Sequence, residues 1–356
     1  MARVTQEAVE AALRGIIDPG SGQPIGDEGL VSNLVVKDGN VGFVMEVPAD
    51  RGHAYEPVRK AAEDAIRALP GVLSSSVVMT AHRDQAVPAQ PAGGIDGVNA
   101  IVAVASGKGG VGKSTTAANL ALALAAEGRK VVFLDADIYG PSAPRLFGLT
   151  GKPETDGTLL YPKMAYGIAT MSIGLLIGED QPMVWRGPMV QSALEQMLRQ
   201  VAWGEADIMI VDLPPGTGDI QLSLTQRTPL AGAVIVSTPQ DLSLIDARKG
   251  LNMFRKVDVP ILGIVENMSY FACPACGHRT DVFAHGGARQ EAARLGVPFL
   301  GEIPLDIRIR ETSDSGFPIV AAEPSGTIAN AYQAVASAVL ESLPGSRPQG
   351  PRIVIE

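Results

Sequence analysis

The run Gly107-Lys108-Gly109-Gly110-Val111-Gly112-Lys113-Ser114 narrows what this chain can fold into more than any other segment. It satisfies G-x-x-x-x-G-K-[ST], follows the apolar stretch Ala100 to Ala105, and opens the helical segment Lys113 to Glu127. Strand, glycine loop and helix in that order predict an α/β fold with a phosphate-binding turn. Glycines let backbone N–H groups curl around phosphate oxygens, and the following helix points its positive end at them. In such a turn Lys113 contacts the β and γ phosphates, Ser114 offers a hydroxyl to Mg²⁺, and Thr115 bonds an α phosphate.

Beyond Val98 short apolar runs alternate with helical segments, as expected of parallel strands covered on both faces. The predicted strands are Ala100 to Ala105, Lys130 to Leu134, Ala206 to Val211, Gly232 to Ser237, Ile261 to Glu266 and Pro298 to Ile303. The clearest predicted helices are Lys113 to Glu127, Met189 to Val201, Leu242 to Val257, Gly287 to Leu295 and Thr327 to Leu343. Together they make a P-loop NTPase with a doubly wound, mostly parallel sheet, whose ligands sit at the carboxyl ends of the strands.

Ahead of it the pattern differs. A helical face over Val4 to Ile17, two strands Leu30 to Lys37 and Asn40 to Val47 around Asp38-Gly39, a helix Tyr55 to Leu69 and a strand Gly71 to Thr80 predict a small α/β unit ordered α-β-β-α-β. Residues 1–83 are assigned to this unit, the Pro- and Gly-rich residues 84–97 to a linker, 98–345 to the P-loop domain and 346–356 to a tail.

Carboxylates follow two of the strands. Asp135 and Asp137 close one, and Asp135 is placed to help hold a Mg²⁺ shell. Asp212 closes Ile208 to Val211 in the Walker B manner and acts on Mg²⁺ through water. The next segment, Leu213-Pro214-Pro215-Gly216-Thr217-Gly218-Asp219, mixes stiff prolines with permissive glycines and suits a switch loop that brings the Gly216 amide toward a γ-phosphate. Ordinary strand ends and a tight connection are the plainer alternatives for these segments.

Composition excludes several classes. Of 356 residues, 46% are hydrophobic and 19% charged, with 40 Gly and 26 Pro, which is neither disordered, collagen-like nor coiled-coil. The formal charge of -9 argues against nucleic acid or an anionic membrane as partner. Leu120 to Ala126, the longest unbroken apolar run in the middle of the chain, is far below the roughly 18 residues a bilayer requires. The amino terminus lacks the apolar core of a signal peptide, and the expected compartment is the cytoplasm.

Cys273 and Cys276 are the only cysteines. In Phe271-Ala272-Cys273-Pro274-Ala275-Cys276-Gly277-His278 they offer two soft thiolates on one turn, half the four-ligand set of Zn²⁺ or an iron-sulfur cluster. Two copies facing each other complete the set and predict a bridging [4Fe–4S] cluster in a homodimer. Three other readings stand beside it: a single-chain Zn²⁺ site with His278 and His285, a redox pair, and inert buried thiols.

The second lysine of the loop, Lys108, is not required by an ordinary phosphate loop. Here the sequence resembles the deviant Walker A ATPases, which include MinD, ParA, the nitrogenase iron protein and the Mrp/ApbC iron-sulfur carriers. The resemblance implies that Lys108 neutralises phosphate charge across a face-to-face dimer, as an arginine finger does elsewhere, and that Asp137 orients the attacking water. Asn267-Met268-Ser269-Tyr270-Phe271 before the cysteines, Val184-Trp185-Arg186-Gly187-Pro188, the Asp212 to Asp219 segment and Gly301-Glu302-Ile303-Pro304-Leu305 look like the Mrp/ApbC subfamily in particular.

That likeness spans residues 98–345. It implies an ATP-hydrolysing carrier whose Cys273 and Cys276 hold the cluster and which delivers it to apo iron-sulfur proteins. Asn267 by the same likeness contacts adenine, with the capping of a strand end as an equal alternative. The amino-terminal unit resembles a small iron-sulfur assembly domain, but its stretch Pro48 to Tyr55 has His53 and no thiol, which points to docking of apo-targets or scaffold proteins. The rival is a MinD/ParA-like positioning switch without a metal. It is disfavoured because Thr327 to Leu343 contains no Lys or Arg and because such a switch does not need the cysteines.

Overall fold

The computed structural model describes residues 4–18, 22–26, 30–37, 39–48, 52–82, 94–176 and 187–344. The tail, most of the predicted linker, Asp38 and Val184-Trp185-Arg186 lie outside the described residues. The chain divides between Gln90 and Pro91 into two compact units.

The first unit contains α1 (Gln6–Leu13), β1 (Val31–Lys37), β2 (Asn40–Pro48), α2 (Gly52–Arg67) and β3 (Ser74–His82). Thr5 Oγ1 caps α1 by accepting from the Ala8 amide at 3.3 Å. The helix is shorter than the predicted Val4 to Ile17, because the Ile16 carbonyl accepts from Ile25 and Ile17 bridges to Pro24, so the backbone leaves the helix after Leu13. β1 and β2 pair antiparallel through Lys37↔Asn40, and β2 and β3 pair parallel from Asn40↔Ser74 to Pro48↔His82. α2 starts three residues before the predicted Tyr55, which puts His53 on the helix. Val9, Leu13, Phe43, Met45, Ala62 and Ile66 fill the core between helices and sheet.

The second unit opens with β4 (Val98–Ala105), α3 (Lys113–Ala126), β5 (Val131–Asp135), α4 (Ala143–Leu146), β6 (Lys163–Ala165), β7 (Ile168–Ser172), α5 (Ile173–Leu176) and α6 (Gly187–Arg199). It continues through β8 (Ala206–Asp212), α7 (Asp219–Arg227), β9 (Gly232–Ser237), α8 (Asp241–Lys256), β10 (Ile261–Glu266), β11 (Phe271–Ala272) and β12 (Arg279–Thr280). α9 (Gly287–Leu295), β13 (Phe299–Glu302), α10 (Ile307–Asp314), α11 (Ile319–Ala322) and α12 (Thr327–Ser342) complete it.

Eight strands form one sheet in the order β13-β10-β9-β4-β8-β5-β7-β6, parallel throughout except for β6 against β7. All six predicted strands are present. The sequence reading missed β6 and β7, whose short hairpin turns at Tyr166 (φ 50°) and Gly167 (φ 79°). Both turn residues are left-handed, the geometry that fits a two-residue hairpin, but Tyr-Gly is a weaker signal than Asn-Gly.

Alternation along β4 builds the two layers. Ile101, Ala103 and Ala105 face the core under α6 and α8, while Val102 and Val104 face the one under α3 and α12. β4 lies between β8 and β9, so the chain runs outward on both sides of it. The crevice at such a switch point is where an open α/β sheet binds its ligand. Among the described residues no helix is long and apolar enough to cross a membrane.

Candidate functional site

The phosphate loop leaves β4 at this switch point and is built by close approach. Gly107 has no side chain to spare, since a Cβ there would overlap the Asp246 carbonyl and the Ala247 amide of α8. Gly112 caps α3 in a left-handed conformation (φ 78°), and a Cβ would strike Asn267 Nδ2. That amide donates to the Val111 carbonyl at 2.8 Å. Gly109 and Gly110 instead face open space, the kind of cradle a phosphate needs and a side chain would fill. Lys108 is half-buried, and no hydrogen bond or ion pair ties its side chain to the described residues.

Lys113, only 6% exposed, donates from Nζ to Asp212 Oδ1 at 2.5 Å and to Ser114 Oγ at 3.1 Å, with Asp137 Oδ2 at 3.9 Å. The strand ends at Asp135, so Asp135 and Asp137 do not share a strand face; the loop turns Asp137 back toward Lys113 instead. Asp135 is fully buried. Its Oδ1 accepts from the Asp137 amide, and its Oδ2 accepts from the Ser142 and Ala143 amides and from Ser172 Oγ. Burial and the Asp212 carboxylate push Asp135 up to about 7 against those donors, and burial also raises Asp137.

One lysine among three carboxylates leaves this crevice short of positive charge. Asp212 Oδ2 is buried with no partner. An orphaned carboxylate oxygen beside the Ser114 hydroxyl is a donor set that suits Mg²⁺, so the residues fit the ion. Both oxygens of Asp135 already accept from protein donors, so Asp135 offers no free oxygen to such an ion.

The segment after β8 closes over the same crevice. The Gly216 amide donates to the Ser106 carbonyl at 3.0 Å, so reaching a γ-phosphate requires that bond to break. Gln221 Nε2 donates to the Pro214 carbonyl, and Asp137, Tyr139, Pro214, Pro215 and Gln221 line a cavity of about 430 Å³. On the other side of the loop, Gly112, Thr115, Asn267, Arg145, Asp306 and Arg310 line one of about 420 Å³. Asn267 therefore ties the phosphate loop and borders this cavity; its bond goes to Val111 and does not cap a strand end.

Cys273 and Cys276 sit on the turn of the β11–β12 hairpin, the first half-buried and the second exposed. Cys273 N donates to the His278 carbonyl at 2.9 Å, and Gly277 N, at φ 74°, donates to the Cys273 carbonyl at 2.8 Å. The Ala275 and Cys276 amides and the Cys276 side chain hold the Cys273 thiol below its ordinary range, which favours the metal-binding thiolate.

His278 is exposed, and His285 faces Ser269 and Arg279. Among the described residues, the one group of three metal-ligating side chains within reach of each other is Glu266, His285 and Glu302, and it contains neither cysteine. The single-chain Zn²⁺ set is therefore not assembled. The sequence reading gives Glu266, Arg279 and Glu302 no role, although Glu302 stands in the Gly301 to Leu305 segment; the available signal was Glu266, a charged residue closing an apolar strand.

A mostly parallel sheet with this loop at its switch point, a buried lysine and strand-end carboxylates defines a P-loop NTPase of the MinD/ParA-like fold. The structure of the MinD cell division ATPase of Pyrococcus furiosus shares that fold, with 23% identity and a TM-score of 0.51 over 68% of this chain and 99% of that one. A nucleotide-binding protein from Archaeoglobus fulgidus, solved in complex with ADP, is 42% identical with a TM-score of 0.58 over 65% of this chain and 91% of that one.

The chain belongs to the family described as NUBPL iron-transfer P-loop NTPase, which it matches over residues 97–340. Residues 6–77 match the family described as iron-sulfur cluster assembly protein. The iron-sulfur cluster carrier protein of Synechocystis is 44% identical over 94% of this chain and 97% of its own length. The iron-sulfur cluster transfer protein NUBPL of Mus musculus is 55% identical over 71% of this chain and 80% of its own.

Proposed function

We propose that this protein is an ATP-hydrolysing homodimer that holds an iron-sulfur cluster, a [4Fe–4S] cluster, between the Cys273 and Cys276 pairs of two subunits and passes it to apo-proteins. The observation that carries the reading is the two-thiol turn, Cys276 exposed and Cys273 half-buried, half a ligand set at the tip of a hairpin. The names of relatives 44% and 55% identical to this chain support a carrier, whereas the likeness to MinD speaks for the fold alone.

In this reading Gly107 to Gly112 cradle the phosphates, Lys113 neutralises their charge, and Ser114 and Asp212 hold Mg²⁺ with Asp135 behind them. Asp137 orients the attacking water, Gly216 leaves Ser106 for the γ-phosphate, and Asn267 borders the base. Lys108 acts across the dimer. The amino-terminal unit docks apo-targets or scaffold proteins in the cytoplasm.

Anaerobic reconstitution with iron and sulfide tests it. The wild type gains broad absorption near about 400 nm, where thiolate-bound iron-sulfur centres absorb, and loses it to an apo-enzyme; Cys273→Ala gains none. Colour that persists without Cys273, or one tightly held Zn²⁺ per chain with no iron uptake, would overturn the assignment.

A further inference from the structure

A cluster of side chains at the carboxyl ends of β10 and β13 has no part in the roles above. Glu266, fully buried, accepts at Oε1 from Ser269 Oγ (2.6 Å) and the Gly286 amide (3.1 Å) and at Oε2 from the Ala288 amide (2.7 Å). Ser269 Oγ lies 3.2 Å from His285 Nδ1. Arg279, on β12 of the cysteine hairpin, brings Nη2 to 3.0 Å from the same nitrogen and 3.4 Å from Glu302 Oε2. Its guanidinium stacks 3.9 Å from the centre of the Tyr270 ring. Arg289 pairs with the other oxygen of Glu302 at 3.1 Å and Arg279 also reaches Asp281 at 3.5 Å, so two arginines supply the positive charge this acidic group calls for, and Arg279 is the one that belongs to the cysteine hairpin.

Two further features join this anchor to the nucleotide crevice. Asn267, next to Glu266 in sequence, holds the Val111 carbonyl of the phosphate loop. Met268 (φ 56°) and Ala284 (φ 69°) are non-glycine residues in the left-handed region, and each directly precedes a member of the cluster, Ser269 and His285. The hairpin itself has two residue pairs, Phe271↔Thr280 and Ala272↔Arg279, too few to fix its own orientation.

We propose that Arg279 is the positioning residue of the cysteine hairpin, and that the path Val111, Asn267, Ser269, Tyr270, Arg279 makes the hairpin respond to what the phosphate loop holds. The proposal rests on reading that loop as the nucleotide site and the two thiols as the cluster ligands. A displacement of Asn267 by nucleotide moves Ser269 two residues on, and Arg279 transmits that shift to Cys273. This is a coupling free energy between two sites, and it is measurable as one.

The experiment uses the full chain in two arms. In the apo-protein, the alkylation rate of Cys273 is followed by mass mapping with and without Mg·ATP; in the loaded protein, cluster loss to a ferrous chelator is followed the same way. We expect nucleotide to change both wild-type rates by about fivefold or more. Arg279→Gln cuts that ratio below about twofold while ATP turnover and the unfolding midpoint stay, and Ser269→Ala does the same with Arg279 intact. Arg279→Lys, which keeps the charge but loses the planar stack, falls between and serves if the Gln variant does not fold. A wild-type thiol rate indifferent to nucleotide, or a ratio unchanged in both variants, overturns the proposal. A wild type that takes up no cluster defeats the carrier reading instead, and the alkylation arm still decides this one.

Discussion

At the phosphate loop the chain satisfies most of its own groups. Gly107 is wedged against α8, Asn267 is bonded to Val111, Lys113 is paired with Asp212, and every oxygen of Asp135 is occupied. At the cysteine hairpin, two residue pairs carry one exposed and one half-buried thiol, with the Ala275 and Cys276 amides as donors to Cys273. The first is a finished pocket whose geometry exists before any ligand arrives; the second is half of a site. The contrast is not complete, because in the same region the Lys108 side chain has no partner among the described residues and Asp212 Oδ2 is buried without one. The nucleotide crevice therefore also has two groups that wait for something outside the chain.

Lys108→Ala probes the first of them and carries the largest expected effect. Removing a preorganised positive donor from developing phosphate charge lowers kcat by roughly 10²–10³-fold. KM for ATP stays nearly unchanged, because the lost interaction belongs to the transition state. Steady-state hydrolysis checks it, with iron uptake at the hairpin as the internal control. Wild-type turnover in the variant would make Lys108 a solvated loop residue and leave Asp212 as the waiting group of the crevice.

The same contrast governs how much was legible in the sequence. The loop motif is contiguous, so its residues, its strand and its helix could be read from spacing alone, and Asp212 from the strand it closes. The β6–β7 and β11–β12 hairpins and the short α4, α5 and α11 escaped because each is too short to show a period, and α7 and α10 because their mostly polar sequences mark no clear apolar face. The anchoring of the hairpin escaped for a different reason. Arg279 meets Glu302 and Tyr270 through tertiary contact, and no spacing in the sequence encodes a guanidinium stacked on a ring. The Gly216 to Ser106 bond was hidden likewise, because composition can mark a loop as mobile but cannot name the carbonyl it rests on.

Glycine substitutions sharpen the comparison on stability. Gly107→Ala forces a methyl into the backbone of α8 and should cost about 3 kcal/mol, the upper end of overpacking penalties. Gly277→Ala meets no atom within 4 Å and pays only for its left-handed backbone, about 1 kcal/mol. Urea unfolding of the two variants should separate them clearly, with the Gly277 change felt more in iron loading than in the midpoint. Equal costs would mean that the phosphate loop is looser than its packing indicates.

The smallest expected effect concerns protons. Asp135 is pushed up to about 7 by burial and by Asp212, so in the folded protein it holds a proton that the unfolded chain releases near its ordinary value of 3.8. The stability this proton contributes is fully present below that ordinary value and is lost as pH rises through about 7. A Mg²⁺ ion in the crevice opposes the same three carboxylates and so competes with the proton for the same charge. Its apparent affinity should climb by up to about tenfold per pH unit below 7 and level off above it. Thermal unfolding with and without Mg²⁺ across pH 5.5–8.5 reads this as a metal-dependent shift that grows toward neutral pH. Asp135→Asn should flatten the profile, since a neutral amide takes the place of the titrating group. A metal effect independent of pH in the wild type would mean that the Ser142, Ala143 and Ser172 donors keep Asp135 ionised throughout, and that the finished pocket carries its full negative charge at every pH.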